Sequence, residues 1–586
     1  MRAYLPTGNE QISLPGLNDR GGIESLTFLT MAHRGMLELH GGDGEPLIRP
    51  FVEVDGAEAE LRDFEWRREH YWIPSARAKA GEHELELCVL APAGERGFAV
   101  RLRFTASAGC RIRWGLRGLW AGSRHCVNES KPVEGSVHCW MSGWNHGPVF
   151  DMRVGVPLFA LAPMCTREFI TEHEQGADGL GYRLALEDGP GAGESCECVF
   201  FWGLGYEEVA AATSAKELLR RGWDWEYDRT ARWLDARAMS FASEKLTELY
   251  NLNLFFCIFY STGRTLDTEE LVCCTSRSTR YYVSAAYWDR DSLLWSFPAI
   301  LDADAELARE LLDYVFGRQR RNIGVHSRYI DGTVLEPGFE LDELVSPVLA
   351  LERYIGATGD RGILSEARVL KGLELIVKRL AAERHPETAL YSTFLQPTDD
   401  EIVYPYLTYD NVLVWRALLA LAELLPERYA GLRAEAELVR AAVYEHCVFD
   451  GMFAWSVDLE GRHNVYDEPP GSLQLLPYYG FCSGTDEVWR KTAAHIRSPE
   501  YEYSFAGENI AEIGCAHAPY PWLLSLCNSL LSGHEDTALA ELERMGMDNG
   551  IACESVYPDT GECATGAAFA TCAGFLCHAL KEAADA

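Results

Sequence analysis

Apolar and polar residues alternate one by one through the first two hundred positions, then settle into spacings of three and four. His83-Glu84-Leu85-Glu86-Leu87-Cys88-Val89 repeats with period two, as do Phe98 to Phe104 and Arg111 to Trp114. That is the period of a strand with one face in a core and the other in water. Gly81, Pro92-Ala93-Gly94 and Ala108-Gly109 punctuate these runs, supplying the backbone angles that tight turns need. Tyr182 to Leu186 and Cys196 to Trp202 continue the pattern on either side of Asp188-Gly189-Pro190-Gly191. Many short, half-polar strands closely spaced by turns predict an antiparallel β-sandwich over residues 1–205.

From Glu207 onward the period changes. Val209 to Arg221 and Arg229 to Met239 read as helices and predict a helical connector over 206–240. Beyond it, Leu246, Leu249, Leu252 and Phe256 keep one helical face apolar, as do Leu307, Leu311 and Val315, and then Leu364, Ala367, Leu370, Leu373 and Ile376. Further helical windows run from Val412 to Leu424, Leu432 to His446, Asp486 to Ile496, Trp522 to Leu531, Thr537 to Met545 and Ala567 to Leu580. About a dozen helices with uneven loops fit either a closed double ring or an open stack of repeats. A solenoid of helix pairs repeats every ~34–47 residues, and no such sequence period is visible. The reading is therefore an (α/α)6 toroid over 241–586.

Length and composition narrow the function. A chain of 586 residues is too long for one core. With 47% hydrophobic residues it is a packed protein rather than a disordered one. A formal charge of −35 argues against nucleic acid and anionic membrane surfaces, which need clustered Lys and Arg. The start, Met1-Arg2-Ala3-Tyr4-Leu5-Pro6, carries no apolar signal segment, so a cytoplasmic protein is expected. Leu249 to Tyr260, interrupted by Asn251 and Asn253, is too short to span a bilayer. The 18 cysteines lack the paired spacing of a structural zinc site and read as reduced core thiols. Sixteen tryptophans and 26 tyrosines offer ring faces on which sugars stack.

Three short segments carry candidate chemistry. In Cys553-Glu554-Ser555-Val556-Tyr557-Pro558-Asp559-Thr560-Gly561-Glu562, a carboxylate precedes a tight turn built on Pro558 and Gly561. Tyr287-Trp288-Asp289-Arg290-Asp291-Ser292 puts two acceptors, a forked donor and an indole within six residues, a set suited to paired sugar hydroxyls and an apolar C–H face. Phe339-Glu340-Leu341-Asp342-Glu343 crowds three acids before Ser346-Pro347. Ser346 as N-cap and Pro347 in the first turn predict a helix starting there, with Asp342 on the loop before it. Crowded buried acids repel one another, which raises the pKa of at least one, as a general acid requires. Gln396 to Asp400, Tyr404 to Asn411, and Gly507 to Glu512 with His517 and Trp522 form polar, aromatic loops that read as walls of a pocket.

Taken in this order, the three segments resemble those of the six-hairpin inverting glycosidases, including glycoside hydrolase family 63 and the glycogen-debranching-type glucosidases. The resemblance covers roughly residues 245–582. It implies Glu554 as general base and Asp342, sixteen positions before Thr358-Gly359-Asp360, as general acid, with Glu340 as the alternative acid. It also implies Trp288, Asp289, Arg290 and Asp291 around the non-reducing-end sugar. Tyr409, Asp410, Glu340, Glu512 and Trp522 complete the expected substrate contacts. The Trp-Arg-Gly-Pro-x-Trp segment of relatives is replaced here by Ala518-Pro519-Tyr520-Pro521-Trp522, which leaves the sugar open between glucose and mannose. The expected activity is exo-hydrolysis of an α-linked sugar from an oligosaccharide with inversion and no cofactor, a structural calcium being left open. A glycoside phosphorylase of the same toroid class and a non-catalytic carbohydrate-binding protein are the rival readings. An epimerase would need paired histidines, and His326, His463 and His517 make no obvious pair.

Overall fold

The computed structural model describes residues 3–585 and divides into two compact units. The first comprises Met1–Met239 together with two segments from further along the chain, Thr262–Val272 and Arg277–Ala285. Its strands form antiparallel sheets of six, eight and five members. The alternation read from the sequence is the alternation of burial: in His83–Leu90 every second side chain is buried. The same holds along Gly97–Thr105 from Val100 onward. The inward residues build an aromatic core containing Trp114, Trp120, Phe150, Phe159 and Trp202. After the strand Ser195–Gly205 come helices α1 (Glu208–Arg221) and α2 (Trp223–Asp235). Ala211, Ala212 and Ala215 of α1 pack on Val149, Ala160 and Ala162, small residues that let a helix lie close on a sheet.

The second unit comprises Ser240–Ser261, Cys273–Ser276 and Ala286–Ala586. In chain order its elements alternate between the outer and the inner ring. Helix α3 (Glu244–Ser261) leads to a π-helical turn, Arg290–Ser296, that runs into α4 (Phe297–Ala303). Next come α5 (Ala305–Gly317) with α6 (Leu341–Thr358), and α7 (Ala367–Glu383) with α8 (Thr408–Leu424). After the short α9 (Pro426–Tyr429), α10 (Leu432–His446) packs on α8 and is followed in the chain by two 3-10 turns, Pro469–Gly471 and Leu473–Leu475. Helix α11 (Glu487–Ile496) then precedes α12 (Leu523–Leu530), and α13 (Glu535–Leu542) precedes α14 (Ala570–Asp585).

Burial separates the two rings. Helix α10 buries only Ala436, Val439, Ala442 and Val443, a single stripe, whereas every residue of α12 is buried. Inner elements touch in sequence: the π-turn on α6, α6 on α8, the 3-10 turns on α12, α12 on α14, and α14 back on the π-turn. The seam between α8 and the 3-10 turns is closed by the Tyr409 ring lying against Gly471. The chain is thus an antiparallel β-sandwich unit followed by an (α/α)6 toroid, as its two hydrophobic periods predict.

One local expectation is corrected. Helix α6 starts at Leu341, with extended Glu340 as its N-cap, so Pro347 lies inside the helix rather than in its first turn. In the turn before the proline, Ser346 Oγ folds back onto the carbonyl of Asp342 (2.7 Å). Asp342 and Glu343 therefore sit in the first helical turn, where the helix dipole favours acids.

Candidate active site

The N-terminal ends of the inner elements, each of which follows an outer helix in chain order, are where the candidate chemistry falls. The candidate residues lie at those ends: Asp289 to Asp291 at the π-turn, Glu340 to Glu343 at α6, Tyr409 and Asp410 at α8, Trp522 before α12, and Glu554 with Thr571 around the start of α14. Separation in sequence is thereby converted into proximity.

Arg290 is the hub. Its guanidinium donates to Glu340 Oε2 (3.2 Å), Asp342 Oδ2 (3.1 Å) and Asp399 Oδ1 (2.6 Å), while its backbone N–H donates to Glu343 Oε1 (3.0 Å). Arg328, which no sequence motif had picked out, pairs with Asp289 and stands 3.7 Å from Glu343. Tyr287 Oη donates to the other Asp289 oxygen. All these groups except Asp399 are at most 4% exposed, and burial is costly for charge unless it is paired. Burial works against the Arg290 charge, but Asp342, Asp399, Glu340 and Glu343 more than offset it and raise its pKa. His326, 3.4 Å from both Glu336 and Glu340, is opposed by burial but held protonated by those carboxylates, its pKa pushed up to about 11.

Acids outnumber these cations, and some of them are driven neutral. Burial raises Asp291 to about 7 and Glu340 to about 7. It also lifts Glu343 and Asp410 well above the carboxylate range, with Asp342 and Glu340 adding to the rise at both. Neither oxygen of Asp410 has a hydrogen-bond partner among the described residues. Two subsets, His326–Glu340–Asp399 and Glu340–Asp342–Glu343, each bring one donor atom per residue within 4.8 Å, a spacing that suits a cation. The Arg290 guanidinium already lies among those oxygens.

Glu554 stands at the base of the hairpin whose turn the sequence foretells. It leads into a small hairpin, Ser555–Val556 with Cys563–Thr565, closed by Gly561 N–H to Tyr557 O (2.8 Å), with Gly561 at a φ of +70°. Thr565 Oγ1 donates to its carboxylate (2.6 Å), and its backbone carbonyl accepts from Leu523 N at the start of α12 (3.0 Å). Thr571, in the first turn of α14, donates to Asp291 (2.8 Å). Burial raises the pKa of the neighbouring Cys572 thiol, and the nearby Asp291 and Glu554 charges raise it further.

The other expected contacts divide. Trp288 is buried edge-on against His326, its indole N–H without a partner among the described residues. Tyr409 Oη meets Tyr479 Oη at 3.2 Å. Trp522 bridges Ser555, the neighbour of Glu554, and donates to Ala518 O (2.9 Å). Glu512 is engaged elsewhere: it accepts from Ser525 Oγ (2.5 Å) and Ser529 Oγ (2.9 Å), with Arg497 at 3.5 Å. Two serines of α12 and one arginine thus hold one oxygen of Glu512, while its other oxygen has no hydrogen-bond partner among the described residues. Conversely, sequence reading passed over Arg328 and Glu468. Burial lifts Glu468 to about 8; the acid-rich run before Pro469-Pro470 was its only sequence signal.

A family model described as metal-independent alpha-mannosidase (GH125) matches residues 381–580, which include Glu468 and Glu554. Among solved structures, a bacterial glucoamylase complexed with acarbose superimposes with a TM-score of 0.65 at 11% identity, covering 100% of this chain and 95% of that one. A human-microbiome protein assigned as a kojibiose phosphorylase gives 0.60 at 10% identity, covering 99% and 86%. The fold is that of the six-hairpin (α/α)6 glycosidases. A Streptococcus pneumoniae metal-independent alpha mannosidase, solved in a non-productive complex with alpha-1,6-mannobiose, matches with a TM-score of 0.52 at 18% identity, covering 63% of this chain and 99% of that one. The matching family model is GH125 rather than family 63, whose motifs the sequence resembles. A search of curated protein sequences returns no match.

Proposed function

We propose that the chain is an inverting, exo-acting glycoside hydrolase that removes an α-linked mannose from the non-reducing end of an oligosaccharide. The observation that carries this reading is the alpha-mannosidase family model over residues 381–580, which spans the half of the toroid holding Glu554. In this reading Asp342, on Arg290 in the first turn of α6, protonates the departing glycosidic oxygen. Glu554, on its rigid hairpin, takes a proton from the water attacking the opposite face. Such a pair needs roughly 6.5–9.5 Å between carboxyls to admit the water. Trp288, Asp289, Arg290 and Asp291 hold the terminal sugar, with Tyr409 and Asp410 beside them. The reading invokes no metal, in keeping with the wording of the family model, and Arg290, Arg328 and His326 face those acids that stay charged.

Incubation with α-1,6-mannobiose, followed by proton NMR, tests the reading directly. The first anomer released should be β-mannose, at a rate unchanged by added phosphate or by a chelator. A matched panel of α-glucosides decides between mannose and glucose. Glu554→Gln should lower turnover by roughly 10²–10⁴-fold, the span of general acid–base catalysis. Asp342→Asn should lose most on substrates with poor leaving groups and far less on activated aryl glycosides. Release of α-mannose first, or a Glu554→Gln protein as active as wild type, would overturn the assignment.

A further inference from the structure

Asp399, which grips Arg290, is held in an unfavourable backbone conformation. Its φ is +68°, in the left-handed region that non-glycine residues seldom occupy and that persists only when the surroundings enforce it. The enforcement comes from a turn over Gln396 to Asp400: Asp399 N–H bonds Gln396 O (2.8 Å) and Gln396 N–H bonds Asp400 O (2.9 Å). A buried carboxyl anchors that turn from the neighbouring segment, beside a bond within it from Thr398 Oγ1 to Asp400 Oδ2 (3.1 Å). Glu468, on the segment before the 3-10 turn Pro469–Gly471, accepts through one oxygen from both Gln396 Nε2 (2.7 Å) and Thr398 Oγ1 (2.8 Å). Gln396 is fixed from its other end by Trp455 Nε1 (3.1 Å). Glu468 is fully buried, and its second oxygen has no hydrogen-bond partner among the described residues.

Building on the glycosidase reading above, we propose that Glu468 is a positioning residue that pins the Gln396 to Asp400 turn and so holds the Asp399 carboxylate on Arg290 and His326. Asp399 lies 2.6 Å from Arg290 and 3.6 Å from His326, and it is more than a third exposed. It is therefore the accessible member of the Arg290 cluster, and its placement fixes the guanidinium that carries Asp342. The charged and titratable groups acting on Glu468 are Asp400 and Asp410 together with the phenols of Tyr466 and Tyr501 and the thiol of Cys515. No cation is among them, so burial and the neighbouring acids keep the carboxyl neutral up to about pH 8. A neutral acid can be copied by an amide, which makes the role separable from one of charge.

Hydrogen exchange on the ligand-free protein tests the pin without any substrate. Glu468→Ala should speed exchange of amides in residues 394–402, and Glu468→Gln should restore protection. Thr398→Val removes one of the two donors without vacating the carboxyl; should Glu468→Ala fail to fold, it should show the same effect in smaller measure. With α-1,6-mannobiose, Glu468→Ala should raise KM about tenfold, equivalent to ~1.4 kcal/mol, with kcat changed less, and Glu468→Gln should recover most of that loss. Unchanged exchange in both Glu468→Ala and Thr398→Val would overturn the proposal, as would a Glu468→Gln protein as unprotected as Glu468→Ala. The expected exchange pattern in a protein with no glycosidase activity would uphold the pin and sink the functional reading instead.

Discussion

Arg290 shows how one side chain organises a site. Three carboxylates from two stretches of chain converge on its guanidinium, and a fourth, Glu343, takes its backbone N–H. Removing one partner of a buried ion pair typically costs ~3–5 kcal/mol, because the other charge is left uncompensated. Arg290→Ala should therefore destabilise the protein by about that amount, read as a lower midpoint in denaturant. Lysine keeps the charge but not the fork; Arg290→Lys should retain more stability than Arg290→Ala while still losing substrate affinity. A stability equal to wild type in Arg290→Ala would contradict the hub. Arg290 and the acids Glu340, Asp342 and Glu343 were legible in the sequence because each sits in a dense local motif. Arg328 and Glu468 were not, because their significance lies in what the ring folds onto them. The sequence likewise did not show that Ser525 and Ser529 would take one oxygen of Glu512, since those serines lie on the following helix.

At the scale of elements, the apolar spacing located the strands and most helices, because period is a property of the local chain. It failed where the element is irregular. The fourth inner member is two 3-10 turns, Pro469–Gly471 and Leu473–Leu475, too short to show any period. The first begins as a π-turn, Arg290–Ser296, a distortion frequent at functional sites. Close packing explains why this turn can be held. A Cβ on Gly574 of α14 would stand 2.7 Å from Ser296 Cα and 3.0 Å from the carbonyl oxygen of Trp295, backbone atoms that cannot step aside. Gly574→Ala gains about 1 kcal/mol of helix propensity, but overpacking costs ~1–3 kcal/mol. The clash should win. The expected result is a lower melting temperature and weaker substrate binding, since the same seam carries the Thr571–Asp291 bond. A variant more stable than wild type would show that α14 and the π-turn can part without cost.

For the whole molecule, net charge and buried acids both make stability depend on pH, and they can be told apart. A formal charge of −35 repels itself more as pH rises, but salt screens that term: the Debye length falls to about 3 Å at 1 M. Buried carboxyls are screened much less. Asp291, Glu340 and Asp467 are raised to about 7, and Glu468 to about 8, in each case chiefly by burial. An acid whose folded pKa is raised binds more protons folded than unfolded. Its contribution is fully present below the unfolded value, 4.5 for Glu468, and is lost as pH climbs through the folded one. The protein should therefore lose stability between about pH 4.5 and 8, and a slope should survive in 1 M salt. Glu468→Gln removes one titrating group while keeping its acceptor oxygen for Gln396 and Thr398. Its melting temperature should approach or exceed that of wild type at pH 8, and the advantage should shrink towards pH 5. Melting curves of both proteins at pH 5, 6.5 and 8 in high salt decide the matter. Parallel pH dependences would mean that Glu468 is already ionised in the folded state, and that the cation-free side of the ring is wetter than its burial implies.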